Sequence, residues 1–180
     1  MKKTVFAGFG GQGVLMMGYT FAMAAMNDGK EITYLPAYGA EMRGGTANCT
    51  VAVSDEEIFS PVASSPDYAV IMNNPSLIKY ESMIRKGGTV FLNSNLVTKE
   101  ISRDDLTVIK IPVNDIAKKL KNERISNMIM LGAFVEETKL TSHESILNAL
   151  AEITKGKKAS IMKQNRKGLE QGAGCISQGA

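Results

Sequence analysis

The sequence predicts an α/β fold, a three-layer α/β/α sandwich with a mainly parallel sheet, built as a single domain over residues 1–180. Short apolar runs alternate with longer helical patterns along the whole chain. Most of those runs are apolar nearly throughout, as strands covered on both faces are. The first of them passes through a glycine cluster straight into a long apolar stretch, the pattern of a strand, a tight turn and a buried helix.

The elements follow in order. Thr4 to Ala7 reads as the first strand and Val14 to Asn27 as an apolar helix ended by Asp28-Gly29. Ile32 to Leu35 is a second strand, followed by a glycine-rich loop from Pro36 to Gly45. Ala47 to Ser54 alternates, with Ala47, Cys49, Val51 and Val53 on one side, which predicts a strand with one wetter face. Tyr68 to Met72 is a buried strand, and Asn74-Pro75 opens a helix with Asn74 as its cap, closed by Gly87-Gly88. Thr89 to Leu92 and Thr107 to Ile111 are further strands. Helical patterns cover Asp115 to Lys121, Asn127 to Glu137, Ser142 to Lys155 and, more weakly, Ile161 to Gln171. No repeat, low-complexity stretch or linker interrupts this pattern.

Composition excludes several functions. Lys and Arg number 21 against 18 Asp and Glu, a formal charge of +3 that is too small to argue for nucleic acid. The most apolar segment, Val14 to Met26, falls short of the ~20 residues of a membrane span, and no signal-peptide pattern is present. A cytoplasmic protein is expected. The two cysteines, Cys49 and Cys175, stand far apart and outside any CxxC or Cys/His group. A cluster or a structural zinc needs about four such ligands, so ordinary reduced thiols and no metal are expected. His143 lies in Thr141-Ser142-His143-Glu144, where Thr141 and Glu144 fit a capping box and the histidine reads as a solvated first-turn residue. The methionines at 16, 17, 23 and 26 read as core filler within the first helix.

Two constellations remain. Gly8-Phe9-Gly10-Gly11-Gln12-Gly13 sits where the first strand hands over to the first helix. Glycines there permit a tight turn and let backbone N–H groups at a helix N-terminus approach a phosphate, while close packing alone would also call for them. A nicotinamide or flavin site also wants an acid at the end of the second strand, and that strand ends Tyr34-Leu35-Pro36. A P-loop lysine is missing as well. The second constellation is Tyr38-Gly39-Ala40-Glu41-Met42-Arg43-Gly44-Gly45, expected on the same carboxyl edge of the sheet. Glu41 and Arg43 form either a surface ion pair or a contact through which Arg43 meets a phosphate or a partner carboxylate.

Taken together, Gly8 to Val14, Tyr38 to Gly45, Val53-Ser54, Ile58-Phe59-Ser60-Pro61 and Pro66-Asp67 resemble the gamma subunits of 2-oxoacid:ferredoxin oxidoreductases. The resemblance continues through Gly87-Gly88, Asn127-Met128 and Leu131-Gly132. The tyrosine before Gly39 and the paired glycines after Arg43 are more similar to the 2-oxoglutarate and branched-chain types than to the pyruvate type. The resemblance implies a complex that decarboxylates a 2-oxoacid on thiamine diphosphate with magnesium, passes electrons through iron–sulfur clusters to ferredoxin, and forms an acyl-coenzyme A. Those cofactors lie on other subunits, alpha and beta with delta as a further candidate partner, so this chain alone binds none of them and is expected to be inactive. Coenzyme A, as substrate, is the group whose pyrophosphate would suit the turn. Candidate binding residues are then Gly10, Gly11, Gln12, Gly13, Glu41, Arg43, Gly44 and Gly45, with no catalytic residue of its own. A stand-alone Rossmann-like nucleotide-binding oxidoreductase is the alternative, and a coenzyme A-binding module outside any redox complex is a third.

Overall fold

The computed structural model describes residues 1–37, 46–59, 64–155 and 159–177. Its elements are β1 (Lys2–Phe9), α1 (Val14–Asn27), β2 (Glu31–Ala37), β3 (Thr46–Ser54), β4 (Tyr68–Ile71), α2 (Asn74–Tyr80), β5 (Thr89–Asn93), β6 (Thr107–Ile111), α3 (Val113–Lys119), α4 (Ser126–Thr138), α5 (His143–Ile153) and α6 (Ala159–Ser177). Short 3-10 turns follow α2 (Glu81–Met83) and precede α4 (Glu123–Ile125).

The strands form one sheet in the order β2-β3-β1-β4-β5-β6. β1, β4, β5 and β6 pair in parallel, whereas β3 runs antiparallel to both β1 and β2. Five strands therefore share one direction, as a mainly parallel sheet requires. β3 departs from its expected wet face: from Ala47 to Ser54 every residue except Thr50 is buried. The polar side chains Asn48 and Ser54 on the second face are buried with the rest.

One face of the sheet carries the larger core. Phe134 of α4 lies at its centre, with ring centroids 5.4 Å from Phe6, 5.1 Å from Phe21, 5.3 Å from Phe91 and 5.9 Å from Tyr68, all edge-to-face. Each such contact adds roughly 0.5–1.5 kcal/mol to what burial supplies. Around it pack Met17 and Phe21 of α1, Val113 and Ala117 of α3, and Ile146 and Leu150 of α5. The opposite face buries Val5, Ala7, Ala69, Ile71, Val90 and Leu92 under Leu77 and Tyr80 of α2 and under Val97 and Leu106. The connection before β6 is pinned there by Glu81 and Arg103. Glu81 Oε1 accepts from Ser102 N (2.5 Å) and Ser102 Oγ (2.8 Å), while Arg103 donates to the Ile84 carbonyl (2.6 Å) and to both oxygens of Asp105 (2.9 and 2.6 Å). The hydrogen bond from Arg103 leads the causes that hold the Asp105 carboxyl down at about 2.

Several helix ends differ from the sequence expectation. Asn73 caps α2, accepting from Ser76 N at 2.9 Å, while Asn74 instead bonds Thr98 and Lys99. α2 also stops at Tyr80, well before Gly87-Gly88. Ser142, not Thr141, caps α5 by accepting from Ser145 N at 3.0 Å, because the Thr141 hydroxyl is committed to Asp28 at 2.5 Å. His143 is half-buried and not solvated: Nε2 lies 3.1 Å from the Gly132 carbonyl oxygen and Nδ1 3.7 Å from the Glu136 carboxylate. α6 is longer than its weak pattern suggested, since tertiary packing on α4 overrides the low helix propensity of its glycines.

That packing is close. A β-carbon on Gly132 would run into the backbone of Leu169, and one on Gly172 into the Ile129 carbonyl. Gly174, two residues further along α6, faces open space. Gly172→Ala should therefore cost about 1–3 kcal/mol through overpacking, whereas Gly174→Ala should stabilise by up to ~1 kcal/mol through helix propensity. Urea denaturation of the two variants measures both, and equal midpoints would contradict this helix seam.

Candidate functional site

The site is built at the carboxyl edge of the sheet, where β1 and β4 lie side by side and their connections leave toward opposite faces. In open α/β sheets a crevice forms at such a switch point. Here it is a cleft of about 210 Å³ lined by Gly11, Gln12 and Gly13 after β1, Met72 after β4, Asn93 at the end of β5, Asn114 of α3, and Glu123, Arg124, Ser126 and Asn127 leading into α4.

The glycines of the turn do different work. At Gly8 a β-carbon would sit 2.6 Å from Gln12 Oε1 and 2.8 Å from Met72 Cβ, so this position serves packing. Gly11 and Gly13 have φ of +92° and +74°, a region that side chains disfavour. Gly13 is doubly constrained, because a β-carbon would also lie 2.5 Å from the Asn127 amide nitrogen. α1 and α4 thus approach one another across a position that only glycine fits. Gly10 is exposed in the turn. Gln12 braces the turn: Oε1 accepts from Phe9 N at 2.6 Å and Nε2 donates to the Met72 carbonyl at 3.3 Å.

Two helix N-termini border this cleft. α1 begins at Gly13 without a side-chain cap and without an acidic residue in its first turn. α4 continues the 3-10 turn Glu123–Ile125, whose start Asn122 caps by accepting from Arg124 N at 3.1 Å, and Asn127 Oδ1 accepts from Met128 N at 2.9 Å. The uncapped first turn of α1 and the positive ends of the two helices favour an anion. The cleft also holds the exposed guanidinium of Arg124, which makes no ion pair among the described residues, and a single carboxylate, Glu123. Among the described residues its ionisable side chains are this one arginine and this one glutamate.

Of the candidates from the sequence, the structure brings Gly11, Gln12 and Gly13 into the cleft, with Gly10 in the same turn. Glu41, Arg43, Gly44 and Gly45 lie outside the described residues. The strand ends that flank them are described: Ala37 pairs with Asn48, which in turn pairs with Ala7, and Thr46 pairs with Phe9. Both flanks are therefore at the edge that carries the glycine turn. The sequence reading missed Asn93, Asn114, Arg124 and Ser126. Their only signal was the polar run Asn122-Glu123-Arg124 before an apolar helix, which taken alone is an ordinary capping segment. Pro66-Asp67 sits at the opposite edge and is structural there, with Asp67 accepting from Lys3 N at 2.8 Å and pairing with Arg85 at 3.1 Å. Among the described residues, no group of three or more His, Cys, Asp or Glu is placed to hold a metal, and no helix is long and apolar enough to cross a membrane.

Comparison with known proteins adds to this geometry. Residues 3–175 match the family described as pyruvate ferredoxin/flavodoxin oxidoreductase. Ketoisovalerate oxidoreductase subunit VorA of Methanothermobacter thermautotrophicus is 36% identical over 171 residues, which are 95% of this chain and 35% of that protein. The chain thus spans about a third of the length of that relative. 2-Oxoglutarate synthase subunit KorC of Methanocaldococcus jannaschii is 35% identical and matches over 94% of both chains. The solved keto/oxoacid ferredoxin oxidoreductase gamma subunit of Geobacter sulfurreducens superposes with a TM-score of 0.84 at 27% identity, covering 99% of each chain.

The cysteines take no part in the cleft. Cys49 is buried with Sγ 3.7 Å from the Val14 carbonyl oxygen, and burial pushes its thiol up to about 12; Cys175 is half-exposed on α6 and is raised by burial too. Burial thus keeps Cys49 in the thiol form and shields its sulfur from reagents. A thiol reagent at pH 8 should therefore titrate Cys175 first and Cys49 only after unfolding. Equal native rates for the two would contradict the burial of Cys49.

Proposed function

Because the chain belongs to the pyruvate ferredoxin/flavodoxin oxidoreductase family, we propose that it is the gamma subunit of a 2-oxoacid:ferredoxin oxidoreductase and that its cleft holds a phosphate of coenzyme A. The observation that carries the second half is the meeting, at one glycine turn, of the uncapped N-terminus of α1, the N-terminal end of α4 and Arg124, which makes no ion pair among the described residues. The reaction of the complex converts a 2-oxoacid, coenzyme A and oxidised ferredoxin into an acyl-coenzyme A, carbon dioxide and reduced ferredoxin. Thiamine diphosphate, magnesium and the iron–sulfur clusters belong to other subunits in this reading, since two cysteines fall short of the four that a cluster takes. The 2-oxoglutarate and ketoisovalerate relatives support 2-oxoglutarate or a branched-chain 2-oxoacid as the substrate.

Within that complex the chain's own residues bind and orient. The backbone N–H after Gly13 and the Arg124 guanidinium meet the phosphate oxygens, while Gln12 keeps the turn in shape through its backbone and side-chain bonds to Phe9 and its side-chain bond to Met72. Phe9, Met16 and Tyr19 remain 39%, 41% and 41% exposed beside the turn and supply apolar surface for the alpha and beta subunits. Glu41, Arg43, Gly44 and Gly45 act at the same edge, against a partner subunit or the bound coenzyme A.

A nicotinamide site is disfavoured by the sheet itself. In a dinucleotide fold the second strand lies next to the first and ends in the acid that binds the ribose. Here the antiparallel β3 separates them, and β2 ends Leu35-Pro36-Ala37.

In the assembled complex, Arg124→Ala should raise the KM for coenzyme A about ten- to hundredfold, the equivalent of the ~1.5–3 kcal/mol of a charged hydrogen bond, and change the KM for the oxoacid less than about twofold. Gly13→Val should do the same or prevent assembly. Steady-state kinetics with each substrate varied in turn checks this. An unchanged coenzyme A dependence in a fully assembled Arg124→Ala complex would refute the assignment.

A further inference from the structure

Arg124 borders two depressions. On its far side from the glycine turn lies a second one of about 530 Å³, walled by Lys121, Asn122, Ile125, Ile161, Gln164 and Asn165. Ligand pockets usually run to about 300–1,000 Å³. The first cleft, at about 210 Å³, is too small for a whole coenzyme A, and the second opens from the residue they share.

The chemistry of the second depression is unlike that of the first. Among the described residues no carboxylate lines it. Asn122 fixes its floor, accepting from Arg124 N at 3.1 Å and donating to Gln164 Oε1 at 2.8 Å, which ties the segment before α4 to α6. Ile161 keeps 39% of its surface exposed and offers an apolar patch. Lys121 makes no ion pair among the described residues, and its backbone is left-handed, with φ of 53°. Glycine fits that conformation more easily.

We propose that this depression receives the adenosine end of coenzyme A, with Lys121 meeting the 3′-phosphate and the Gln164 and Asn165 amides facing the adenine edge above Ile161. A phosphomonoester carries nearly two negative charges at neutral pH and is matched by the two cations that line this depression, Lys121 and Arg124. The inference rests on the reading of the first cleft as the place of the coenzyme A pyrophosphate. It extends that reading to a part of the ligand that the glycine turn cannot reach.

The test compares coenzyme A with dephospho-coenzyme A, which lacks the 3′-phosphate, as substrates of the assembled complex. Lys121→Gly removes the cation and suits the left-handed backbone, so the variant should fold at least as well as the parent. The parent should show a KM for dephospho-coenzyme A at least tenfold above that for coenzyme A. In Lys121→Gly the KM for coenzyme A should rise about tenfold while that for dephospho-coenzyme A stays put, and Lys121→Arg should restore the preference. If Lys121→Gly shifts both substrates equally, or neither, while Arg124→Ala still weakens both, the second subsite is overturned and the first cleft stands. If Arg124→Ala has no effect on either substrate, the reading of the first cleft has failed and this inference falls with it.

Discussion

The structure depends on the contact of Phe134 with four aromatic rings drawn from β1, α1, β4 and β5. That cluster seats α4 on the sheet at a fixed depth and rotation. The N-terminal end of α4, about two helical turns before Phe134, is thereby held at the carboxyl edge, where Asn127 closes on Gly13. Burial of the rings thus aligns the positive ends of α1 and α4. α6 then locks α4 from outside through glycines that let the two backbones touch.

The sheet order decides what such an edge can bind. With β3 running backwards between β1 and β2, the ribose-binding corner of a dinucleotide fold is absent, while the glycine turn at a helix N-terminus is kept. The same arrangement brings both flanks of the segment between Ala37 and Thr46 to the turn. One edge therefore gathers the glycine turn, the Arg124 guanidinium and exposed apolar side chains.

Much of this was legible in the sequence, because buried parallel strands and glycine turns are written locally. β1, β4 and β5 declare themselves as apolar runs, and Gly13 declares a turn. The cap of α2 moved by one residue, since Asn73 and Asn74 are both capping types and only the contacts of Asn74 with Thr98 and Lys99 settle which is which. β3 looked half-wet because alternation records side-chain type, whereas burial depends on what packs over each face. Arg124 and Lys121 were illegible for a further reason. Their role comes from the meeting of α3, α4 and α6, which no local pattern encodes, and an exposed Lys or Arg in a short connection is ordinarily just solvated.

The central claim is that the N-terminal ends of α1 and α4 jointly hold a phosphate of coenzyme A. Hydrogen exchange on the assembled complex, with and without coenzyme A, addresses it directly, because bound phosphate oxygens would take the place of water at the first-turn amides. Slowed exchange in both the segment 10–17 and the segment 123–128, with the amides of β6 unchanged, is the predicted result. Protection confined to other parts of the chain, or to other subunits alone, would contradict it.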